Sequence, residues 1–287
     1  MRIAHISDLH FSKLTWGFSQ IFSKALVGNF NLLLNRKYDF FPERLYALLP
    51  LLREREVTDV IVSGDLSTTS SHRELTLAKA FVDSLRTEGF RTHIIPGNHD
   101  RYTRRADKTH RFYRYFPPSP ESTPGTDMRH RVTAQKQENG WWFVLMDTAL
   151  ATPPFSATGY FSPAIETRLT HLLDTIPADE PILLVNHFPF LQHDKPKRRL
   201  KRGEALCRLL LSRPNIRIYL HGHTHRLRKI DLRASGLPLI LDSGSVAYRD
   251  GSWYLIDLPE NRCTVTSFLW SKGGWAPEKP DRFTWET

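Results

Sequence analysis

RTHIIPGNHD, residues 91–100, is a short apolar run that stops at Gly97 and delivers Asn98, His99 and Asp100 in succession. Four other stretches repeat the design: MRIAHISDLH (1–10), TDVIVSGD (58–65), PILLVNH (181–187) and IRIYLHGHTH (216–225). Continuous apolar runs of this length, rich in Ile and Val, read as strands buried on both faces. Each one releases Asp, Asn or His where strand gives way to loop. Parallel strands that end on one edge of an open α/β sheet bring such residues around a single cavity. The spacing therefore predicts one site assembled from almost the whole chain.

Taken in order, the fragments D-x-H (8–10), GD (64–65), GNHD (97–100), NH (186–187) and GHxH (222–225) resemble the calcineurin-type metallophosphoesterase superfamily. The resemblance spans positions 8 to 225, and its strength lies in all five motifs occurring in sequence, each behind a strand. It implies an α/β fold, a two-sheet β-sandwich flanked by helices in four αββα layers. It also implies that Asp8, His10, Asp65 and His225 hold one metal ion, and that Asp65, Asn98, His187 and His223 hold the other, with Asp65 bridging. His99 is implied as the catalytic group that stabilises developing charge or protonates the leaving oxygen, alongside Asp65.

The residue types make chemical sense independently. Carboxylates, imidazoles and one amide oxygen suit borderline-to-hard divalent ions, Mn²⁺ first and Zn²⁺ or Fe²⁺ next, and a shared carboxylate holds two of them about 3.5–4 Å apart. Such a pair lowers the pKa of water towards roughly 7 and supplies hydroxide for in-line attack on phosphorus. A departure from the family concerns position 68. Some branches carry an aspartate three residues after the GD motif to pair with the GNH histidine; here GDLSTTS places Thr68 there, which disfavours the phosphoprotein phosphatase branch. Asp100 reads as a structural residue, and His221 as either a substrate contact or a packing residue.

Residues 12–40 intervene between the first strand and a helix expected to start at Pro42, an allowed first-turn proline. Phe18, Phe22, Leu26, Phe30 and Leu33 follow helical spacing. From Ser12 to Tyr38 the segment carries Lys13, Lys24, Arg36 and Lys37 and no acid. An amphipathic helical cap is expected, with Phe18, Phe22, Leu26 and Phe30 facing acyl chains or an anionic membrane surface. The net charge of +10 gathers near the same edge. Arg101, Arg104 and Arg105 follow GNHD, and Lys195 and Arg198 follow His187, so these five are candidate substrate-binding residues for an anionic ligand. Tyr102 and its neighbouring tyrosines offer surfaces on which a base stacks.

A length of 287 residues and ligands spread along the chain imply one domain over 1–287, with 271–287 a loosely packed tail rich in Gly, Pro and charge. Cys207 and Cys263 form no metal-binding or disulfide pattern. The first strand starts at once and no run reaches about 18 apolar residues, so a cytoplasmic protein, peripheral to the inner face of the membrane, is expected. Asn139-Gly140 marks a hairpin before Trp141 and Trp142. The alternating segments KIDLRAS, LPLILDSGS, SWYLIDLP and CTVTSFLW are expected to form a second, largely antiparallel sheet.

The apolar insertion, the basic loops and the expected compartment together resemble the calcineurin-type UDP-2,3-diacylglucosamine pyrophosphatases of lipid A synthesis. The implied partners are an anionic nucleotide-lipid and an anionic membrane surface, with no obligate protein partner evident. The better-known branch of that activity has Arg in place of the GNH histidine, so the likeness is to the other branch. A soluble cyclic-nucleotide or general phosphodiesterase, or a nuclease acting on nucleic acid, fits the core motifs equally but leaves residues 12–40 without a role. A non-catalytic binding module is disfavoured because every ligand position is filled.

Overall fold

The computed structural model describes residues 1–12, 40–117, 132–153, 155–191, 195–259 and 262–285. The expected cap residues Phe18, Phe22, Leu26 and Phe30 lie outside them. Three parallel strands, β1 (Arg2–Ile6), β2 (Asp59–Val62) and β3 (Arg91–Ile94), form one half of the first sheet. The second sheet is built on β5 (Trp142–Met146), β7 (Ile182–Val185) and β9 (Ile216–His221), also mutually parallel, with β4 (Val132–Lys136) joined to β5 antiparallel through the Asn139-Gly140 turn. Gly140 has φ +83°, the conformation that such a turn asks of glycine. A two-strand ribbon of β6 (Gly159–Tyr160) and β8 (Leu200–Lys201) lies apart.

Strand period two sorts the core into three layers of contact. Ile3 and Ile61 of the first sheet meet Leu183, Ile218 and Leu220 of the second in the space between the sheets, with Trp141 fully buried among them. The alternate residues Ala4, Val60 and Val62 face outward and are covered by α1 (Leu48–Glu54) and α2 (His72–Thr87) through Leu48, Ala78, Phe81 and Leu85. On the opposite side Leu184, Tyr219 and Ile240 are covered by α5 (Pro163–Asp174) and α6 (Gly203–Leu211); two shorter helices, α3 (Arg104–Lys108) and α4 (Arg111–Tyr115), follow the GNHD loop. Pro42 opens a short 3₁₀ turn at its first position, Pro42–Leu45, as its missing N–H allows. The helix α2 starts at a capping box in which Ser71 and Glu74 satisfy each other's backbone donors.

Two expectations are corrected. The four alternating C-terminal segments do not make a sheet of their own. β10 (Leu227–Asp231) and β11 (Leu239–Ser243) extend the second sheet from β9, whereas β12 (Ser252–Asp257) and β13 (Arg262–Ser271) pair antiparallel beside β1 in the first. Alternation announces a half-buried strand, but the partner is chosen by which open edge lies within reach. The tail is also ordered beyond expectation: β14 (Gly274–Pro277) and β15 (Asp281–Thr284) both pair with β13, although most of their side chains stay exposed.

Candidate metal centre

All five apolar runs end on one edge, and the loops that leave them interlock. Asp8 N–H donates to Gly64 O (3.0 Å), His10 N–H to Asp65 O (3.0 Å) and His223 N–H to the Asp8 carboxylate (2.9 Å). Such close passage needs residues without side chains. A Cβ on Gly97 would stand 2.2 Å from Asp65 Oδ1, and one on Gly222 would stand 2.0 Å from Ser7 Oγ and 2.4 Å from Asp8 Oδ2. The loops are also held in an uncommon conformation. Asp8, His10, Asp65, His223 and His225 all have positive φ, between 47° and 71°. Left-handed backbone costs an ordinary residue roughly 1–2 kcal/mol, so the surrounding contacts must over-determine these five positions.

Six of the seven expected ligands, all but Asn98, meet in close contacts. His225 Nε2 lies 3.0 Å from Asp8 Oδ1 and 3.1 Å from His10 Nε2, and His10 Nε2 lies 3.5 Å from Asp8 Oδ1 and 3.9 Å from Asp65 Oδ2. His187 Nε2 lies 3.4 Å from the same Asp65 oxygen. Asp65 thus faces both groups, as a bridging carboxylate must. Asp8 with His10 and His225, and Asp8 with Asp65 and His187, each bring ligand atoms within 4.8 Å of one another. Among the described residues, Asn98 Oδ1 and His187 Nε2 are buried without a hydrogen-bond partner. Orphaned buried acceptors are costly, and both belong to residues expected to bind metal. The donor set therefore fits two divalent cations.

Backbone carbonyls set the tautomers. His187 Nδ1 donates to Ser63 O (2.8 Å), which turns Nε2 towards Asp65. His223 Nε2 donates to Arg198 O (2.9 Å), leaving Nδ1 as its ligand atom. Burial pushes His223 down to about 3 and lowers His10, a shift of both rings towards the neutral form that binds metal. Burial also opposes charge on His187, but the Asp65 carboxylate overcomes it and raises the ring to about 9, a sign of how strongly this pocket favours positive charge. Burial would lift the Asp8 carboxyl; His225 and His10 instead hold it well below the usual range.

His99 stands at the rim of this cluster. Its N–H donates to Asp65 Oδ1 (2.7 Å), and its ring grips Thr68 O through Nδ1 at 2.7 Å. The main-chain carbonyl of Thr68 orients the histidine. Tyr102 stacks flat on the His99 ring, with centroids 5.3 Å apart and planes 11° from parallel. Asp100 locks the adjacent loops. Its carboxylate accepts from Leu66 N–H (3.1 Å), Ser67 N–H (2.8 Å), Ser67 Oγ (2.8 Å) and Gly97 N–H (3.0 Å). Burial and the neighbouring Asp65 charge push it up to about 7.

The basic candidates divide. Arg104, Arg105, Lys195 and Arg198 are exposed beyond the ligand loops. Arg101 is corrected from substrate contact to scaffold: it is 5% exposed, and its guanidinium binds Asp107 (2.7 Å), Asp147 (2.9 Å) and Ala149 O (2.8 Å). His221 is buried, with Nδ1 3.0 Å from Gly222 O and 3.7 Å from the Asp242 carboxylate, and burial lowers it to about 4. Sequence reading also passed over Phe40 and Tyr248. Phe40 packs on His10 (4.6 Å) and His225 (5.7 Å), and Tyr248 lies 5.6 Å from His225. Position at the end of the insertion was the one signal available for Phe40; Tyr248 had none.

A model of the calcineurin-like phosphoesterase family matches residues 1–227. Comparison with curated proteins yields no match. Among solved structures, a dimetal phosphatase from Danio rerio is similar at TM-score 0.67 and 15% identity, covering 99% of each chain. A purple acid phosphatase from yellow lupin (Lupinus luteus) seeds is similar at TM-score 0.63 and 11% identity, covering 99% of this chain and 53% of its own. GAP50 of the Plasmodium inner membrane complex is similar at TM-score 0.59 and 12% identity, covering 100% and 89%. At these identities the three structures share the fold.

Proposed function

Because the chain belongs to the calcineurin-like phosphoesterase family, it is a metal-dependent phosphoester hydrolase, and we propose that it cleaves the pyrophosphate bond of a nucleotide-linked lipid. The substrate we assign is UDP-2,3-diacylglucosamine, cut to UMP and 2,3-diacylglucosamine 1-phosphate at an anionic membrane surface, with Mn²⁺ as the preferred metal. The observation that carries this reading is the rooting of the apolar insertion. Phe11, just before it, pairs with Leu66 and Ser67 beside Asp65, and Phe40, its last residue, pairs with Tyr248 and packs on His10 and His225. A segment rich in Phe and Leu that departs from and returns to the ligand loops suits a substrate whose lipid part lies beside its phosphates. No helix among the described residues is long and apolar enough to cross a membrane.

Two divalent cations, when bound, would supply Lewis-acid stabilisation and an activated water. Asp8, His10, Asp65 and His225 would hold one, and Asp65, Asn98, His187 and His223 the other. His99, fixed by Thr68 O, presents its ring to the leaving oxygen and offsets the charge that grows there. Tyr102 stacks on the face of that ring.

Metal-loaded protein offered UDP-2,3-diacylglucosamine in mixed micelles, a cyclic nucleotide, bis(4-nitrophenyl) phosphate and single-stranded DNA should show the highest kcat/KM on the lipid. Replacing Phe18, Phe22 and Leu26 with Ser should raise KM for the lipid and barely alter bis(4-nitrophenyl) phosphate hydrolysis. Equal losses on both substrates would remove the lipid reading. It would give way to a soluble nucleotide phosphodiesterase, which the flat Tyr102 ring beside His99 favours as a platform for a base.

A further inference from the structure

Beside the ligand loop, on the outer face of the second sheet, lies a cavity of about 80 Å³ that the metal site does not use. We propose that it binds the second phosphoryl group of a diphosphate diester, with its apolar wall receiving the ring attached to that group. The inference rests on the reading of the centre as a phosphoester hydrolase and extends it to substrate class.

Three features argue for this ligand. First, the cavity adjoins the reacting centre: Thr224, between the ligands His223 and His225, lines it, and so does Arg198, whose carbonyl holds the His223 ring at 2.9 Å. Second, its polar side carries Arg198, Arg226 and Arg228, and no ion pair among the described residues engages these guanidiniums. The one acid in the lining, Asp242, is buried; burial pushes its carboxyl above the usual range, while hydrogen bonds from Thr224 and Gly244 and the Arg228 charge act the other way. Three guanidiniums against one buried, hydrogen-bonded carboxyl leave the cavity positive on balance. Metal ions held by the ligand set would neutralise the phosphoryl group under attack, so three further guanidiniums one loop away match charge beyond it. Third, Phe190, Ile230 and Ile240 form the opposite wall, which suits a ring and not a bare inorganic anion.

The test is calorimetry on the Mn²⁺-loaded full chain with two probes, UDP-N-acetylglucosamine, a soluble diphosphate diester, and methyl phosphate, which has one phosphoryl group. Arg226→Ala/Arg228→Ala should weaken UDP-N-acetylglucosamine about tenfold or more and methyl phosphate far less, about twofold at most. Arg226→Lys/Arg228→Lys should fall between, because charge is kept and the bidentate fork is lost. Both arginines are exposed, so the variants should keep the wild-type melting temperature. Parallel weakening of the two probes, an unchanged Kd for UDP-N-acetylglucosamine, or no binding of it by the wild type would overturn the assignment. Arginine-dependent binding together with failure to cleave UDP-2,3-diacylglucosamine would refute the lipid substrate and leave this cavity's assignment standing.

Discussion

Removing the Asp100 carboxylate should loosen the two loops that carry Asp65 and Asn98 without touching a metal ligand. Four donors converge on it: the backbone N–H groups of Leu66, Ser67 and Gly97, and the Ser67 hydroxyl. In Asp100→Ala the hydroxyl has a second acceptor, His99 O at 3.4 Å, so its loss is small. The three backbone N–H groups have no alternative, and each buried donor left unsatisfied costs about 1–1.5 kcal/mol at the lower end of the measured range. The sum is about 3–4.5 kcal/mol. Asp100→Asn keeps one acceptor oxygen for Ser67 and turns an NH₂ towards the Leu66 and Gly97 donors, so about 2–3 kcal/mol should go. Because Gly97 passes so close to Asp65, the loosened loop should also weaken metal binding, by about 10–100-fold, the usual effect of losing a group that orients ligands. Urea unfolding of the metal-free variants at pH 6, below the folded Asp100 value of about 7 and so with little of its buried charge to relieve, and metal titration of the folded proteins, measure both. If Asp100→Ala loses less than about 1 kcal/mol and binds metal as the wild type does, the carboxylate does not join the loops as argued.

The centre itself should fail with its bridge: Asp65→Ala should lose metal and activity while keeping its fold, and near-wild-type turnover would exclude a dinuclear mechanism. His99→Ala should retain its metals and lose about 10²- to 10⁴-fold in kcat with a smaller change in KM; full kcat after metal saturation would reduce the histidine to a ligand-orienting role. At the opposite end of β2, burial opposes the Asp59 charge, but hydrogen bonds from His93, Arg91 and Thr58 win and hold the carboxyl below its ordinary 3.8. A depressed folded pKa means that the stability is fully present above about pH 4 and is lost as pH falls through the folded value. Asp59→Asn should therefore be less stable at pH 7, by about 2 kcal/mol, and the gap should close below pH 4; unfolding curves with a constant gap from pH 7 to pH 2 would contradict this.

The order of motifs was enough to foresee the two-metal centre, because each ligand sits directly after an apolar run and such runs stack in parallel with their exits on one edge. His10, Asp65, His187 and His225 meet within 4 Å although up to 215 positions separate them. The hairpin at Asn139-Gly140 and the start at Pro42 were legible for the same kind of reason, since turn and first-turn geometry are local properties of those residues. What only the tertiary structure decided lies in contacts that leave no mark on side-chain identity. The partner of His99 is the main-chain carbonyl of Thr68, and every residue has a carbonyl. Arg101 looks like its neighbours Arg104 and Arg105 in the sequence, and becomes scaffold only because Asp147 and Asp107 arrive beside it. The strands from β10 to β13 alternate alike, yet two extend one sheet and two the other, because alternation encodes which face is buried and not which edge is open. Local chemistry fixes conformation and ligand type, whereas pairing and burial depend on what the rest of the chain brings near.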